Sequence, residues 1–273
     1  MLPLVFICLI SCRKNHLQIG GRTAVVEKNL SYGKGDSQKF DLYTSDKKDS
    51  ASRTFIFIHG GGWRGGDKKD ITGFMLSVME EFPNDIFVNT NYTLADYRSF
   101  ALPEQTDEIH QLISHLNSYS DKSFAKTEYI LVGNSAGGHL AALYAYKYRN
   151  PQVIAVVNIV GPVDLSDKNF QRYPDYGFVQ NYLVNPAKVS DSISKSEFAS
   201  PITWMLRSKV GIISFFGEND TVIPLSQKLK MDSLTSTGSV QGESYTFSGG
   251  HEDWRNEFQK KEIISKLKDF LAR

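Results

Sequence analysis

Runs of β-branched and aromatic residues alternate with amphipathic stretches from residue 53 to the end of the chain. The runs predict the strands RTFIFIHG, DIFVNTNYT, EYILVG, VIAVVNIVG, GIISFFGE and ESYTFSG. The amphipathic stretches predict helices near 69–82, 104–119, 136–149, 224–235 and 254–271. Strands that alternate with helices form a mainly parallel sheet with helices on both faces. Two earlier runs, TAVVEKNLSY and QKFDLYT, predict an antiparallel hairpin at one edge, so we expect an α/β fold with an eight-stranded sheet.

Length and charge restrict the domain organisation and the partners. With 273 residues, 41% of them hydrophobic, the chain can bury one sizeable core. We assign residues 35–273 to one domain and residues 12–34 to a linker and an edge strand. Lys and Arg number 31 against 30 Asp and Glu, and no basic run is interleaved with aromatics, so no nucleic-acid partner is expected.

The first twelve residues carry both cysteines, Cys8 and Cys12. The rest of the chain can therefore form neither a disulfide nor a thiolate metal site. Residues 2–10, LPLVFICLI, are too short to span a bilayer and are typical of the apolar region of an export signal. With Ser11 and Cys12 they resemble a bacterial lipoprotein cleavage box. The resemblance implies a signal peptide at residues 1–11, lipidation of Cys12 and export to the cell envelope, with the lipid as the only membrane contact.

The lipoprotein pattern has one departure and two alternatives. No Lys or Arg precedes the apolar run, as an export signal should have. A plain secretory leader or a short apolar strand at the N-terminus are the alternatives.

A serine stands between two glycines at the end of a predicted strand. Residues 133–137, Gly-Asn-Ser-Ala-Gly, fit G-x-S-x-G, and a helix is predicted directly after them. The glycines permit a sharp, strained turn that exposes Ser135. The same turn places the Ala136 N–H at a helix N-terminus, where it can stabilise a negatively charged oxygen. The alternative is a glycine-rich turn made for close packing.

A second glycine cluster follows an earlier strand. Residues 59–63, His-Gly-Gly-Gly-Trp, resemble the oxyanion motif of the hormone-sensitive-lipase and related carboxylesterase branches of the α/β-hydrolase fold. The resemblance implies that the Gly61 and Gly62 amides join Ala136 in binding an oxyanion, while His59 supports the loop. It also assigns Trp63 to substrate contact. Donors of this kind are worth roughly 3–4 kcal/mol each in the transition state.

The same cluster also satisfies a dinucleotide-binding pattern. Residues 60–65 match G-x-G-x-x-G after a strand. A dinucleotide-binding site requires an acidic residue at the end of the next strand, which bonds to the ribose. This chain has Asn89 and Asn91 there instead. A P-loop is disfavoured because Asp67 follows Gly66 where the lysine would stand. The dinucleotide interpretation therefore remains only a weak alternative.

The order of residues in this fold restricts the choice of base and acid. The serine is followed by an Asp or Glu after a late strand and by a histidine after the last one. His251 alone among the six histidines lies far downstream of Ser135, and His139, one helical turn after the serine, is predicted to be a packing residue. Asp220 resembles the acid of the family's acid loop, with Glu218 in reserve. Asp253 is too close in sequence to His251 to orient it easily.

Residues 163–205 interrupt the alternation of strands and helices. They contain several aromatic residues without clear periodicity, namely Phe170, Tyr173, Tyr176, Phe178, Tyr182 and Trp204. A lid over a site and a surface insertion whose aromatics form a local core are equally compatible with this pattern.

These motifs together resemble a serine esterase of the α/β-hydrolase fold. The resemblance implies that Ser135 attacks an ester carbonyl, His251 transfers its proton and Asp220 orients the imidazole, with no metal or organic cofactor. It also suggests small acyl esters of carbohydrates, acetyl or feruloyl, as substrates. A lipase, amidase or peptidase on the same fold is the first alternative, and a non-catalytic binding lipoprotein is an alternative of another class.

Overall fold

The computed structural model describes residues 15–45, 53–119 and 127–273. Residues 1–14, with the predicted signal peptide and Cys12, lie outside the described residues. The strands are β1 (Asn15–Ile19), β2 (Arg22–Ser31), β3 (Lys39–Ser45), β4 (Arg53–Ile58), β5 (Ile86–Thr90), β6 (Glu128–Asn134), β7 (Val153–Ile159), β8 (Gly211–Gly217) and β9 (Gly242–Phe247). The helices are α1 (Lys69–Glu81), α2 (Glu104–Asn117), α3 (Ala136–Tyr148), α4 (Tyr176–Tyr182), α5 (Lys195–Ala199), α6 (Ile202–Met205), α7 (Ser226–Ser236) and α8 (Glu257–Leu271).

The strands form one sheet in the order β1-β2-β3-β5-β4-β6-β7-β8-β9. The pairings from β1 to β5 along this order are antiparallel, and those from β5 to β9 are parallel. The predicted α/β-hydrolase fold class is thereby confirmed. The five predicted helices are also present, with ends that differ by three residues or fewer.

The sheet has one strand more than the eight expected. β1 pairs with β2 across a two-residue turn of Gly20 and Gly21, both of which have positive φ (55° and 72°). Two such residues form the hairpin turn whose twist matches that of the strands. β1 is mostly polar and exposed, so it lacks the apolar pattern that predicts a strand. Residues 12–34, assigned to a linker and an edge strand, thus contain the two strands β1 and β2 of the sheet.

The core lies on both faces of the sheet. Ile56 and Ile58 of β4 face one apolar cluster, while Phe55 and Phe57 face the other, as the two-residue period of a strand requires. Helices α2 and α3 cover the first face, and α1 and α8 cover the second. The central strands are therefore buried from both sides, which explains their continuous apolar sequences.

Residues 163–205 form short helices that pack onto the domain. Phe170 and Phe178 are buried in the same cluster as α2 and α3, so aromatics of this segment extend the core. The backbone of the segment is bound next to the start of α2, because the Leu102 amide donates to the Leu183 carbonyl and the Asn185 amide donates to the Leu102 carbonyl, each at 2.9 Å. Among the described residues, no helix is long and apolar enough to cross a membrane.

Candidate active site

The predicted site residues meet at the carboxyl ends of the parallel strands. The loop after β4 carries the glycine cluster, the turn after β6 carries Ser135, and the loops after β8 and β9 carry Asp220 and His251. A cavity of about 360 Å³ lies at this edge of the sheet and is bordered by Ser135, His251 and the glycine cluster. In open α/β sheets, ligands bind at this edge.

Ser135 occupies the sharp turn between β6 and α3. Its backbone has φ 53° and ψ −123°, and its amide donates to the Ile159 carbonyl at 2.8 Å. A Cβ on Gly133 would lie 2.3 Å from the backbone of Gly137, and one on Gly137 would lie 2.0 Å from the Ile58 carbonyl oxygen. Both flanking positions therefore exclude side chains, and the serine is presented at the tip of the turn.

His251 links Ser135 to Asp220. The Ser135 hydroxyl donates to His251 Nε2 at 2.9 Å, and His251 Nδ1 donates to Asp220 Oδ2 at 2.8 Å. The Asp220 side chain is fully buried, and its Oδ1 accepts from the amides of Val222 and Ile223, each at 2.8 Å. Three donors thus compensate the buried carboxylate, which in turn keeps the proton on Nδ1 and leaves Nε2 free to accept a proton.

The other two acidic candidates have different surroundings. Glu218 is exposed, and its amide donates to the Phe247 carbonyl. Asp253 Oδ2 accepts from the Gly250 amide at 2.6 Å, which stabilises the loop before His251. The structure therefore brings Asp220, and neither of these, into contact with the imidazole.

The glycine cluster presents backbone amides to the cavity. Gly61 and Gly62 have φ values of 113° and 60°, and a Cβ on Gly61 would lie 2.2 Å from the Gly65 carbonyl oxygen. Within the described part of the chain, neither amide has a hydrogen-bond acceptor, and both residues border the cavity beside Ser135. Ala136 is the first residue of α3, so its amide lacks an intrahelical acceptor. The structure brings these three predicted donors to the same cavity.

His59 and Asn89 have structural contacts. His59 is buried, donates from Nδ1 to the Gly60 carbonyl at 2.7 Å and stacks on Tyr92, and burial lowers the pKa of its imidazole. Asn89 is fully buried and donates to the Lys68 carbonyl at 2.8 Å. The position at which a dinucleotide site would need an acid thus has an amide that supports the loop after β4.

Trp63 and His139 form a contact that the sequence does not reveal. Trp63 Nε1 donates to His139 Nδ1 at 3.0 Å, and His139 Nε2 donates to the Ala199 carbonyl at 2.8 Å. Burial of the His139 side chain lowers its pKa to about 4, so the imidazole is neutral. Trp63 borders the cavity, but it is only 3% exposed, and substrate contact by its indole stays a prediction.

Charged side chains surround the mouth of the cavity. Arg64 Nη2 donates to Asp175 Oδ2 at 2.6 Å, and its guanidinium lies over the Phe178 ring, 5.1 Å from the centroid. The ion pair between Arg64 and Asp175 connects the residue that follows the glycine cluster to residues 163–205. Tyr173 also borders the cavity. Among the described residues, no group of three or more His, Cys, Asp or Glu side chains could hold a metal ion.

Comparison with solved structures shows a shared fold. A truncated carbohydrate esterase from gut microbiota superposes with a TM-score of 0.67 at 18% identity, over 91% of this chain and 96% of that one. The strand order and this superposition identify the α/β-hydrolase fold. The chain belongs to the BD-FAE family, which matches residues 40–234. This match includes Ser135 and Asp220 and ends before His251.

Two curated relatives are similar to this chain in sequence. Esterase LipC of Mycobacterium tuberculosis is 25% identical over 221 residues, which cover 76% of this chain and 54% of LipC. Kynurenine formamidase of Salmo salar is 23% identical over 223 residues, which cover 78% of this chain and 69% of that enzyme. The chain thus spans about half the length of the first of these relatives and about two thirds of the second.

Proposed function

We propose that the chain is a serine carboxylic-ester hydrolase. The observation that carries this proposal is the continuous hydrogen-bond chain from Ser135 through His251 to Asp220, at 2.9 and 2.8 Å, beside amides that have no acceptor from the described residues. A nucleophile, a base and an orienting acid within hydrogen-bond distance form the arrangement that acyl transfer needs. Membership of the BD-FAE family and the esterase-named relatives support it.

The first half-reaction transfers the acyl group to the enzyme. Ser135 Oγ attacks the ester carbonyl carbon while its proton moves to His251 Nε2. The carbonyl oxygen becomes an oxyanion that accepts hydrogen bonds from the amides of Gly61, Gly62 and Ala136. Asp220 stabilises the imidazolium without taking its proton. The carbon–oxygen bond to the alcohol then breaks, and the alcohol leaves with the proton from Nε2.

The second half-reaction regenerates the serine. Water occupies the place of the alcohol and gives a proton to His251 Nε2 as it attacks the acyl carbon. The second oxyanion is bound by the same amides. Its collapse breaks the bond to Ser135 Oγ, returns the proton to the serine and releases the carboxylic acid.

The substrates that we propose are small acyl esters of carbohydrates, acetyl or feruloyl. The cavity of about 360 Å³ is small, and its mouth combines the ring of Tyr173 with the paired groups of Arg64 and Asp175. Aromatic faces pack against sugar rings, and charged groups bond to their hydroxyls. Arg64 and Arg255 border the cavity together with Asp70, Asp175 and Glu252, so groups of both charges can bond to hydroxyls there. The carbohydrate esterase that shares the fold supports this choice.

The proposed location is the cell envelope, through export and lipidation of Cys12. The motif at residues 1–12 supports this location. Metabolic labelling with a palmitate analogue tests it: wild type should become labelled and Cys12→Ala should not, whereas equal labelling of both would contradict it.

Amide hydrolysis is the second candidate, since one curated relative is a kynurenine formamidase. The same serine mechanism serves both reactions, with an amine as the leaving group. A panel of acetylated and feruloylated sugars, longer-acyl esters and N-formylkynurenine, compared by kcat/KM, distinguishes them. Acylated sugars should give the highest kcat/KM, and a higher value for N-formylkynurenine would assign the enzyme to amide hydrolysis.

The test of the mechanism replaces the nucleophile and the acid. Ser135→Ala and Asp220→Asn should each lower kcat on p-nitrophenyl acetate by about 10⁴-fold, because one removes the attacking oxygen and the other removes the charge that orients the imidazole. Glu218→Gln, an exposed change in the same loop, is the matched control and should retain wild-type kcat.

Labelling separates the enzyme from a binding protein. A fluorophosphonate probe should modify Ser135 in the wild type and leave Ser135→Ala unmodified. An unlabelled wild type would favour the non-catalytic binding lipoprotein, and undiminished turnover by Ser135→Ala would eliminate the serine mechanism.

A further inference from the structure

Trp63 connects the glycine cluster to the interior of the protein. It directly follows Gly62 in the loop after β4, and its φ of 64° lies in the left-handed region, which a bulky side chain adopts only under constraint. Its carbonyl accepts from Gln105 Nε2 at 2.7 Å and from the Ala95 amide at 3.0 Å. Its indole N–H has His139 Nδ1 as acceptor. The backbone and the ring of Trp63 are therefore both held in place.

His139 occupies a fixed tautomer between two elements. It lies on α3, one turn after Ser135, and is completely buried. Its Nε2 donates to the Ala199 carbonyl at the end of α5, so its Nδ1 carries no proton and can accept from Trp63. A leucine would fill this interior position without polar groups to satisfy. The imidazole instead pairs both ring nitrogens, each with one partner.

We propose that His139 is a positioning residue for the oxyanion hole: by accepting the Trp63 indole N–H, its Nδ1 holds the Gly61 and Gly62 amides at the distance from Ser135 that the tetrahedral intermediate requires. This inference rests on the proposed function. Trp63 adjoins the two amides in the chain, and His139 lies on the helix that begins at Ala136. The contact therefore joins the two separate segments from which the three oxyanion donors come.

The proposed positioning by His139 should affect the stability of the transition state more than the binding of the substrate. The amides bind the oxygen most strongly when it carries the full charge of the intermediate. A displaced loop should lower kcat and leave KM nearly unchanged, because an interaction made only in the transition state is lost. A displacement of about 1 Å is enough to cost about 10²-fold.

Two substitutions of His139 separate its two ring nitrogens. Asn places its Oδ1 where Nδ1 stands, so His139→Asn keeps an acceptor for Trp63 and loses the donor to Ala199. Gln places its Nε2 where the imidazole Nε2 stands, so His139→Gln keeps the donor and loses the acceptor. Tyr146→Phe is the control for buried polar contacts of α3, since the Tyr146 hydroxyl donates to the Val210 carbonyl far from the glycine cluster.

The expected result is a division between activity and stability. His139→Asn should retain kcat close to wild type, whereas His139→Gln should lower it by about 10²-fold with KM unchanged. Both variants and Tyr146→Phe should have a reduced Tm, and Tyr146→Phe should retain kcat. A wild-type kcat in His139→Gln, or equal losses of kcat in the two His139 variants, would overturn the proposal.

Trp63→Phe tests the same contact from the other side and also serves if His139→Gln fails to fold. It removes the indole donor and keeps an aromatic ring. We expect Trp63→Phe to lower kcat as much as His139→Gln does, with KM unchanged. The double variant that combines Trp63→Phe with His139→Gln should be no slower than either single variant, because both changes remove the same contact. A raised KM with unchanged kcat would mean that Trp63 contacts substrate instead, and multiplicative losses in the double variant would also refute the coupling.

A measurement independent of turnover distinguishes this proposal from the proposed function. The chain has three tryptophans, so ¹⁵N-labelled protein should give three indole N–H signals, and Trp63→Phe assigns one of them. This signal should be protected from hydrogen exchange in wild type and His139→Asn, and exchange rapidly in His139→Gln. If Ser135→Ala retains full activity, the proposed function fails, but protection of the Trp63 indole N–H still reports its hydrogen bond to His139. Rapid exchange of this indole N–H in the wild type would refute the contact itself.

Discussion

Ser135 and Trp63 have backbone conformations that residues other than glycine rarely adopt. Their φ values are 53° and 64°, and each such conformation costs on the order of 1–3 kcal/mol. Hydrogen bonds to Ile159 and from Gln105 compensate part of this cost. The rest of the fold therefore supplies the free energy that keeps the turn at Ser135 and the glycine cluster in place.

His139 provides a prediction about pH at the scale of one residue. Burial lowers its pKa from 6.5 to about 4. Between these values the unfolded chain binds more protons than the native state, so the free energy of unfolding falls as the pH falls from about 6.5 to about 4. The full difference is about 3 kcal/mol. Urea unfolding at pH 7 and pH 4.5 should therefore show a smaller acid-induced loss of stability in His139→Asn than in wild type.

The control for the pH measurement is a buried polar contact of α3 that involves no histidine. Tyr146→Phe removes the hydrogen bond to the Val210 carbonyl, and it should lose as much stability between the two pH values as wild type does. Equal losses in wild type and His139→Asn would show that His139 does not titrate in this range.

At the element scale, α3 lies close against the sheet. Its residues from Ala136 to Tyr146 are buried, and several of them are Gly or Ala. Gly133 on β6 and Gly137 on α3 leave the space in which strand and helix backbones meet. The close approach brings the start of α3, with its amide N–H groups, to the edge of the cavity.

Two glycine-to-alanine substitutions should have opposite effects. A Cβ at Gly137 would lie 2.0 Å from the Ile58 carbonyl oxygen and 2.5 Å from that of His59, so Gly137→Ala should destabilise the protein by about 1–3 kcal/mol and lower kcat. Gly73 lies exposed in α1, and nothing is within 4 Å of a Cβ there. Gly73→Ala should stabilise by about 0.4–1 kcal/mol with unchanged kcat. Thermal and urea unfolding measure both, and a stable, active Gly137→Ala would contradict the packing argument.

At the scale of the whole molecule, a buried ion pair joins the antiparallel and the parallel parts of the sheet. Lys68 Nζ, just before α1, lies 3.3 Å from Asp41 Oδ1 on β3 and donates to Asn29 Oδ1 on β2 at 2.6 Å. The side chains of the pair are only 5% and 9% exposed. Lys68 also accepts at its carbonyl from Asn89, so the pair supports the loop that carries the glycine cluster.

Removal of the Lys68 charge should therefore be costly. Lys68→Met leaves Asp41 buried without its cation, and we expect a loss of about 3–5 kcal/mol in the free energy of unfolding. Lys268 forms a comparable pair with Glu81 between α8 and α1, but at 59% and 45% exposure, and Lys268→Met should change stability by less than about 1 kcal/mol. Urea unfolding of both variants measures these changes in the free energy of unfolding. Equal losses in Lys68→Met and Lys268→Met would show that the buried pair contributes no more than the exposed one.

Much of the fold follows from local patterns. The central strands are continuous apolar runs because both faces are covered, and their spacing with the helices predicts the parallel sheet. The turn at Ser135 is also local, since strand, glycines and helix stand next to one another in the chain. The order of elements then leaves His251 as the histidine at the end of the last strand. Their catalytic roles remain proposals.

Contacts between distant segments depend on the tertiary structure. β1 has no apolar pattern, and its strand conformation comes from pairing with β2. The choice of Asp220 over Glu218 depends on which carboxylate lies within 2.8 Å of the imidazole. Trp63 meets His139 across 76 positions, and Arg64 meets Asp175 across 111. Periodicity and motifs describe neighbours along the chain, whereas these contacts arise only when packed elements bring remote side chains together.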